Sequence, residues 1–289
     1  VQACAGTLGV MIPPSIPMII YGVMTGVTIG GLFMGGILPG IFVGASLMLV
    51  AWFIARKRGY KGDRRADAAH VWATFKDAIL ALLMPAIILG GIYGGVFTPT
   101  EAAVVAVVYG FVIGFFVYRE LRIRDLKGIL VNSVVGTAMI MFIIATSSVF
   151  SWILTAQKIP QSVAEAILSF SRNPVVVMFL INVLLLFIGT FMETVASIII
   201  LVPVLLPVIT QLGIDPLHFG VLIVVNLAVG MVTPPLGVCL FMGCNIGNVS
   251  LEEISRAAAP FIAVMILDIF ILAYVPWITT VLPKLAGLY

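Results

Sequence analysis

The chain reads GVMIPPS at residues 9–15 and GMVTPP at residues 230–235, close to its two ends. Each stretch places two consecutive prolines inside an apolar segment. A proline removes a backbone N–H donor, clashes with the preceding turn and pushes the residue before it out of helical geometry. Both stretches therefore predict a helix that breaks partway along, where backbone carbonyl groups lose their helical partners.

The two stretches belong to a longer internal repeat. A shift of 221 positions, from residue 9 to residue 230, brings the first two apolar segments onto the last two without a gap. Most of the matches are glycines or prolines, which control backbone shape, so the repeated feature is the helix break. The matching pairs are Gly9 and Gly230, Pro13 and Pro234, Pro14 and Pro235, Gly22 and Gly243, Gly26 and Gly247, and Pro39 and Pro260.

The composition indicates a membrane protein. Of 289 residues, 62% are hydrophobic and 9% are charged, and the mean hydropathy is +1.24. Soluble domains carry about 25% charged residues, so a soluble globular enzyme is excluded. The apolar runs are continuous, which favours membrane-spanning helices over a β-barrel. A net charge of +3 is too small to suggest nucleic-acid binding. We therefore predict an all-α integral membrane protein.

The basic residues predict the orientation. Eleven of the fifteen lysines and arginines lie between Arg56 and Lys127, in two clusters separated by two predicted spans. By the positive-inside rule both clusters are cytoplasmic.

We predict five organisational regions. They are residues 1–54 (first broken helix and following span), 55–77 (basic loop and interfacial helix), 78–155 (three spans), 173–210 (hairpin) and 215–289 (second broken helix and last span, residues 257–282, after a polar connector at 251–256).

The apolar segment 173–210 is interrupted by GTFMET at residues 189–194. About fourteen residues precede the interruption, or roughly 21 Å of helix, which does not cross a hydrocarbon core of about 30 Å. We predict a re-entrant hairpin that enters from outside and returns. One long tilted span containing Glu193 is the alternative. If the hairpin adds no crossing, the chain makes five crossings from the start of the first repeat to the start of the second. An odd number gives the repeats inverted orientation, as in alternating-access secondary transporters.

The carbonyl groups at the two breaks, with the hydroxyls of Ser15 and Thr233, are ligands suited to a hard cation such as Na⁺; the alternative is a plain proline kink. Glu193 is a carboxylate within an apolar segment and hence a functional candidate, or a helix-start carboxylate stabilised by the macrodipole. We expect Glu101 to complete a capping box with Thr98; an ion-binding role for Glu101 is the alternative. Asp268 is expected to be a polar group in helix packing.

Several motifs resemble the large membrane subunit (M subunit, DctM-like) of tripartite ATP-independent periplasmic (TRAP) transporters. They are GTLGVMIPPSI at 6–16, GGVFTPTEAA at 94–103, DPLHFG at 215–220 and NLAVGMVTPPLG at 226–237. The resemblance covers essentially the whole chain. It implies an inverted-repeat, elevator-type secondary transporter of the bacterial inner membrane, driven by a Na⁺ gradient. It also implies a small membrane subunit and a periplasmic solute-binding protein as partners. The implied substrates are small organic acids, C4-dicarboxylate or sialic-acid-like.

The resemblance also implies site residues. One Na⁺ site uses Gly9, Ile12, Pro14 and Ser15 with a first hairpin that we expect upstream of Val1. The other uses Gly189, Thr190, Met192, Gly230, Thr233 and Pro235. Substrate lies near Glu193 and Thr194. No cofactor is expected beyond Na⁺ as the coupling ion. A carrier of the same architecture without a binding protein, a channel and an intramembrane enzyme stay as alternatives, although no catalytic motif is present.

Overall fold

The structure is a computed structural model that describes residues 1–60, 67–235 and 237–288. The described residues form helices and no strands, which confirms the all-α prediction. Residues 61–66 of the predicted basic loop lie outside the described part. The helices, in chain order, are α1 Gln2–Gly6, α2 Leu8–Met11, α3 Ile16–Thr25, α4 Ile29–Arg58, α5 Ala68–Tyr93, α6 Pro99–Val112, α7 Ile123–Ala156, α8 Ile159–Phe170, α9 Pro174–Gly189, α10 Thr194–Gln211, α11 Pro216–Gly230, α12 Val238–Gly247, α13 Leu251–Tyr274 and α14 Trp277–Leu285.

Within the described ranges, seven helical segments have the length and apolarity needed to cross a membrane, so the chain is a multi-pass membrane protein. They are Gln2–Thr25, Ile29–Arg58, Ala68–Tyr93, Pro99–Val117, Ile123–Ala156, Thr194–Gln211 and Leu251–Tyr274. Helix α6 reaches Val117 through a π-helical segment, Ile113–Val117.

The chain divides into two compact units, residues 57–142 and residues 1–56 with 143–288. In the smaller unit α5 packs against α6, and the hydroxyl of Tyr109 donates to the carbonyl of Leu80 at 2.7 Å. The predicted capping box at the start of α6 is confirmed: Thr98 Oγ1 accepts from the Glu101 N–H, and Glu101 Oε2 accepts from the Thr98 N–H. Glu101 therefore has a structural role at this helix start.

Helix α11 is the centre of the larger unit. Every residue from Leu217 to Gly230 is buried. Six helices pack around it: α2, α3, α9, α10, α13 and α14. A helix that is apolar on all sides requires such enclosure, because no face is suited to water. Tyr21 fixes the crossing of α3 over α11 by donating its hydroxyl proton to the Pro216 carbonyl at 2.7 Å.

Both helix breaks occur where the prolines predict them. Helix α2 ends at Met11 and α3 begins at Ile16, whereas α11 ends at Gly230 and α12 begins at Val238. The Pro13–Pro14 and Pro234–Pro235 peptide bonds are both cis. Under the shift of 221 positions, α3 falls on residues 237–246, within one residue of α12. The repeat seen in the sequence is therefore also a repeat of helix boundaries.

Helices α9 and α10 form a helical hairpin. They contain 16 and 18 residues, which would span roughly 50 Å if laid end to end. Instead Pro174, at the start of α9, and Leu212, just past the end of α10, line the same cavity of about 520 Å³. The chain therefore doubles back at residues 190–193, which excludes one straight helix through the segment.

Three elements differ from the sequence predictions. Residues 68–76, expected as a separate interfacial helix, are the beginning of α5, which continues to Tyr93. Residues 251–256, expected as a polar connector, are the first turns of α13, and the last predicted span (257–282) ends at Tyr274 because Pro276 interrupts it. Helix α8, Ile159–Phe170, was not predicted.

Ser250 is the cap of α13, and its loss is expected to destabilise the protein. Its Oγ accepts from the Glu253 N–H at 3.2 Å, and Glu253 Oε2 accepts from the Ser250 N–H at 3.1 Å. Replacing such a cap by alanine costs about 1 kcal/mol, so Ser250→Ala should lower the thermal unfolding midpoint by roughly 2–4 °C. The exposed Ser169, which only donates to the Ala166 carbonyl, supplies the control Ser169→Ala. Equal midpoints for the two variants would contradict the capping role.

Candidate functional site

The tip of the hairpin is a short turn with both helix ends satisfied locally. After Gly189, the Thr190 N–H donates to the Phe187 carbonyl at 3.2 Å and the Met192 N–H to the Ile188 carbonyl at 3.0 Å. Glu193 then caps α10, since its Oε2 accepts from the Ala196 N–H at 2.9 Å. The side chain that the sequence marked as a functional candidate therefore also starts the returning helix.

The hairpin tip lies directly against the second helix break. A Cβ placed on Gly189 would be 3.2 Å from Gly230 Cα, so the two backbones touch. A small cavity of about 70 Å³ opens beside this contact. Its lining comes from the tip and from both sides of the break: Gly189, Thr190, Met192, Glu193, Thr194, Met231, Gly237 and Val238. Two segments about forty residues apart in sequence thus form one site.

Several oxygen atoms around this site accept no hydrogen bond from the described residues. The hydroxyls of Thr190 and Thr233 donate their single protons to the carbonyls of Phe187 (2.7 Å) and Val229 (2.8 Å). A hydroxyl that has donated its proton still has lone pairs that can accept. Among the described residues, no N–H or hydroxyl donates to the carbonyls of Gly189, Thr233 or Pro235. Such neutral oxygens are suited to a hard cation.

The predicted second Na⁺ set is brought together only in part. Gly189, Thr190 and Met192 line the cavity, and Gly230 contacts Gly189. Thr233 and Pro235 are in the break but are not among the cavity-lining residues. The Gly230 carbonyl accepts from the Thr233 N–H at 3.0 Å, and the Met231 carbonyl accepts from the Cys239 N–H at 3.0 Å. These two bonds hold the break in a compact turn.

The first break has the same chemistry on a shorter turn. Ser15 is buried and its Oγ donates to the Val10 carbonyl at 2.6 Å, which replaces the N–H that Pro14 lacks. Gly9, Ile12 and Pro14 are exposed, and their carbonyl oxygens accept no hydrogen bond from the described residues. The four predicted residues of the first Na⁺ site are therefore neighbours, with Ile12 packed over Gly40 of α4.

The proposed substrate residues lie at the start of α10. Glu193 is exposed and Thr194 is buried, and both line the small cavity. The first-turn N–H groups of a helix provide a partial positive charge that favours anions. Glu193 Oε2 already accepts one of these N–H bonds, so a bound anion would meet the remaining donors beside a carboxylate.

Sequence reasoning missed three cavity residues, Met231, Gly237 and Val238. Gly237 has a φ of +51°, in the left-handed region that glycine adopts most easily. A glycine two residues after a Pro–Pro pair was a signal for a turn that restarts a helix. Nothing in the sequence separates Met231 or Val238 from ordinary apolar residues.

An all-helical membrane chain with two broken helices, one of which contacts the tip of a helical hairpin, has the form of a membrane transporter subunit. Residues 1–278 match the family described as "Tripartite ATP-independent periplasmic transporter, DctM component". The chain belongs to this family, which comprises transporters rather than enzymes.

Three named relatives match this chain over 277, 283 and 284 residues. The chain is 44% identical over 277 residues to the isethionate TRAP transporter permease protein DctMQ of Oleidesulfovibrio alaskensis, covering 96% of this chain and 44% of that protein. It is 39% identical to the sialic acid TRAP transporter large permease protein SiaM of Vibrio cholerae serotype O1. It is 40% identical to the C4-dicarboxylate TRAP transporter large permease protein DctM of Pseudomonas aeruginosa. The last two matches each cover 98% of this chain and 66% of the relative. The chain thus spans less than two thirds of the length of these relatives.

Proposed function

We propose that this chain forms the substrate- and ion-binding part of a Na⁺-coupled transporter that imports small organic acids. The observation that carries the proposal is the contact between the hairpin tip and the second helix break, with the cavity of about 70 Å³ beside it. The family membership supports transport as the activity.

The Na⁺ coupling rests on the donor set at the tip and the break. Gly189 and Thr190 line the cavity, and Thr233 and Pro235 belong to the adjacent break. The oxygens that we assign to Na⁺ are the Thr190 hydroxyl and the carbonyls of Gly189, Thr233 and Pro235, which accept no hydrogen bond from the described residues. All are neutral oxygens, and the cavity has room for little more than an ion and a water molecule. At the first break, Gly9, Ile12, Pro14 and Ser15 supply ligands for the first Na⁺ site, which the repeat relates to the site at the hairpin tip.

The length of α9 supports an alternating-access mechanism. Helix α9 has 16 residues, or about 24 Å, which is shorter than a hydrocarbon core of about 30 Å. A re-entrant hairpin of this length places its tip inside the membrane, where an ion and an anion are accessible only through the protein. In the elevator mechanism that we propose, the unit carrying the tip and the two breaks moves across the membrane with its cargo.

The substrate class follows from the relatives and from the position of Glu193 and Thr194. Isethionate, sialic acid and C4-dicarboxylate, which the relatives' names specify, are all organic anions. The N–H groups at the start of α10 would bind an acid group, and Na⁺ in the adjoining cavity would offset the repulsion from Glu193. A periplasmic solute-binding protein and a small membrane subunit are the proposed partners, in the bacterial inner membrane.

The experiment that tests the proposal is uptake by the full-length permease with its small subunit in proteoliposomes. An imposed Na⁺ gradient should drive accumulation of a labelled organic acid when the cognate binding protein is supplied. Accumulation that is unchanged without Na⁺ would overturn the coupling. Accumulation without any binding protein would favour a carrier of the same architecture that works alone.

The hydroxyl of Thr190 gives a residue-level prediction. Thr190→Val removes the hydroxyl of a cavity-lining residue at nearly constant volume, so the Na⁺ concentration for half-maximal uptake should rise roughly tenfold, equivalent to about 1.4 kcal/mol of lost ion binding. Thr210→Val is the matched control, because Thr210 is exposed near the end of α10 and donates only to carbonyls of its own helix. An unchanged Na⁺ dependence in Thr190→Val would remove this hydroxyl from the ion site.

A further inference from the structure

Asp268 is a buried acid within a membrane-spanning helix. It lies on α13, twelve residues beyond Arg256, or about 18 Å along the helix. Its exposed fraction is 2%. Its Oδ2 is in hydrogen-bond contact with the hydroxyl of Ser46, on α4. The Na⁺ and substrate sites proposed above do not include either residue.

The two polar contacts of the Ser46 hydroxyl need one more proton than Ser46 supplies. The Ser46 Oγ lies 2.8 Å from the Val43 carbonyl and is also in contact with Asp268 Oδ2. A serine hydroxyl has a single proton to donate. A carbonyl and an ionised carboxylate can only accept, so an ionised Asp268 would leave one of the two contacts without a proton. Both contacts are hydrogen bonds if Asp268 is a neutral carboxylic acid that donates from Oδ2 to Ser46.

An ionised Asp268 would also lack a compensating charge. Neither the ion pair of Arg124 with Asp125 nor that of Arg256 with Glu252 includes Asp268. A buried carboxylate with one neutral donor carries a large desolvation penalty, which a buried acid avoids by keeping its proton.

The titratable groups on the surrounding helices lie away from Asp268. Helix α13 packs against α1, α9, α11 and α12, and α9 carries no titratable side chain. The nearest charged residue on α4 is Arg56, ten positions beyond Ser46 and thus about 15 Å along the helix. On the other helices the groups cluster toward the ends of α13; Cys244 of α12 follows Gly243, whose added Cβ would meet Ile254 near the start of α13. Cys4 and Cys239 line a cavity with Ala257, and Asp215, His218, Tyr274 and Lys284 line a cavity with Ala273.

The helices joined by this contact are equivalent members of the two repeats. Under the shift of 221 positions, Ser46 falls on Leu267, next to Asp268, and α4 falls on α13. The pair therefore connects the two copies at nearly corresponding positions, although neither side chain has a counterpart of the same type in the other copy. The polar contact of Ser46 with Asp268 therefore joins one repeat directly to the other.

We propose that Asp268 is a proton-binding site, and that its proton stabilises the contact between Ser46 on α4 and Asp268 on α13. Protonated Asp268 donates to Ser46, and Ser46 donates to the Val43 carbonyl. When Asp268 releases its proton, the Ser46 hydroxyl donates to the buried Asp268 carboxylate instead, and its hydrogen bond to the Val43 carbonyl is lost. The contact between the two repeats therefore weakens at high pH. The inference stands on these two helices alone and does not depend on Na⁺ coupling or on the substrate.

Infrared spectroscopy of the full-length protein in lipid nanodiscs tests the proton directly. The wild type should show the carbonyl stretch of a protonated carboxylic acid at neutral pH, with a downshift in deuterium oxide. The band should be absent in Asp268→Asn and present in Glu252→Gln, whose exposed carboxylate is paired with Arg256. A wild type without the band, or an Asp268→Asn variant that retains it, would overturn the assignment.

Unfolding measured against pH tests the stabilising role. The Asp268→Asn variant carries an amide that is neutral at all pH values and can donate to Ser46, so its unfolding midpoint should change little between neutral and alkaline pH. The wild-type midpoint should fall over the same interval by more than that of the variant. Equal changes in the two proteins would overturn the proposal. If Asp268→Asn fails to fold, the wild-type infrared band is followed from neutral to alkaline pH instead. Its loss should coincide with the fall of the wild-type unfolding midpoint, and a midpoint that falls while the band persists would overturn the proposal.

Discussion

Replacing Gly230 with alanine is expected to abolish Na⁺-driven uptake while leaving the protein in the membrane. A Cβ on Gly230 would overlap the backbone of Gly189, at 2.6 Å from its Cα. The obstructing atoms are backbone, so no side-chain rotation relieves the overlap. Overpacking of this kind costs about 1–3 kcal/mol. A penalty of about 2 kcal/mol lowers the population of molecules in which the hairpin tip contacts the second break roughly 30-fold.

The control for this variant is an alanine at a helical glycine with free space. Gly90 of α5 has no atom within 4 Å of an added Cβ, so Gly90→Ala should preserve uptake and, through the higher helix propensity of alanine, preserve or raise stability. The comparison is made by Na⁺-driven uptake in proteoliposomes at matched protein content. Wild-type uptake by Gly230→Ala would show that the tip-to-break contact is dispensable, and the proposed site would be wrong.

The second large effect is expected at a buried pair of asparagines between α9 and α11. Both side chains are fully buried, and Asn226 Nδ2 donates to Asn182 Oδ1 at 2.8 Å. Asn182 Nδ2 donates in turn to the Met178 carbonyl at 2.8 Å. Asn226→Leu should destabilise the protein by about 1–3 kcal/mol, because it leaves Asn182 Oδ1 without a donor in an apolar surrounding.

The double variant distinguishes a hydrogen bond from simple packing. Replacing both asparagines by leucine removes both polar groups, so Asn182→Leu with Asn226→Leu should be less destabilised than the sum of the single variants by about 1 kcal/mol or more. Free energies of unfolding in detergent give all four corners of this cycle. Additive single effects would mean that the two amides are not coupled, and that α9 and α11 are held by apolar contacts alone.

The boundaries of the broken helices were predictable because their causes are local. Pro13, Pro14, Pro234 and Pro235 cannot donate a backbone hydrogen bond, whatever surrounds them. The caps at Asn173 and Thr98 were predictable for the same reason, since a side-chain oxygen three or fewer residues from the helix start satisfies its free N–H groups.

The elements that were wrong or missed depend on weaker local signals. Nothing between Lys76 and Ala81 interrupts a helix, so α5 continues through the segment predicted as interfacial. The break at Pro276 is a single proline in an apolar run, and other prolines of this chain, such as Pro39 and Pro260, lie inside continuous helices. Helix α8 packs on α10, and this long-range contact has no marker in the residues of α8 alone.

Hydropathy and the proline pairs by themselves determined that this chain is a helical membrane protein with two repeated breaks, because helix formation and interruption depend on neighbours within one turn. They also located the Gly189–Thr194 interruption. The tertiary structure decides that the hairpin tip lies against the second break, through the contact of Gly189 with Gly230. It also decides that the partner of Asp268 on α13 is Ser46 on α4. These pairings are separated by about 40 and 220 residues. Only long-range packing selects these pairings, because glycine, serine and threonine residues that could make similar contacts occur elsewhere in the chain.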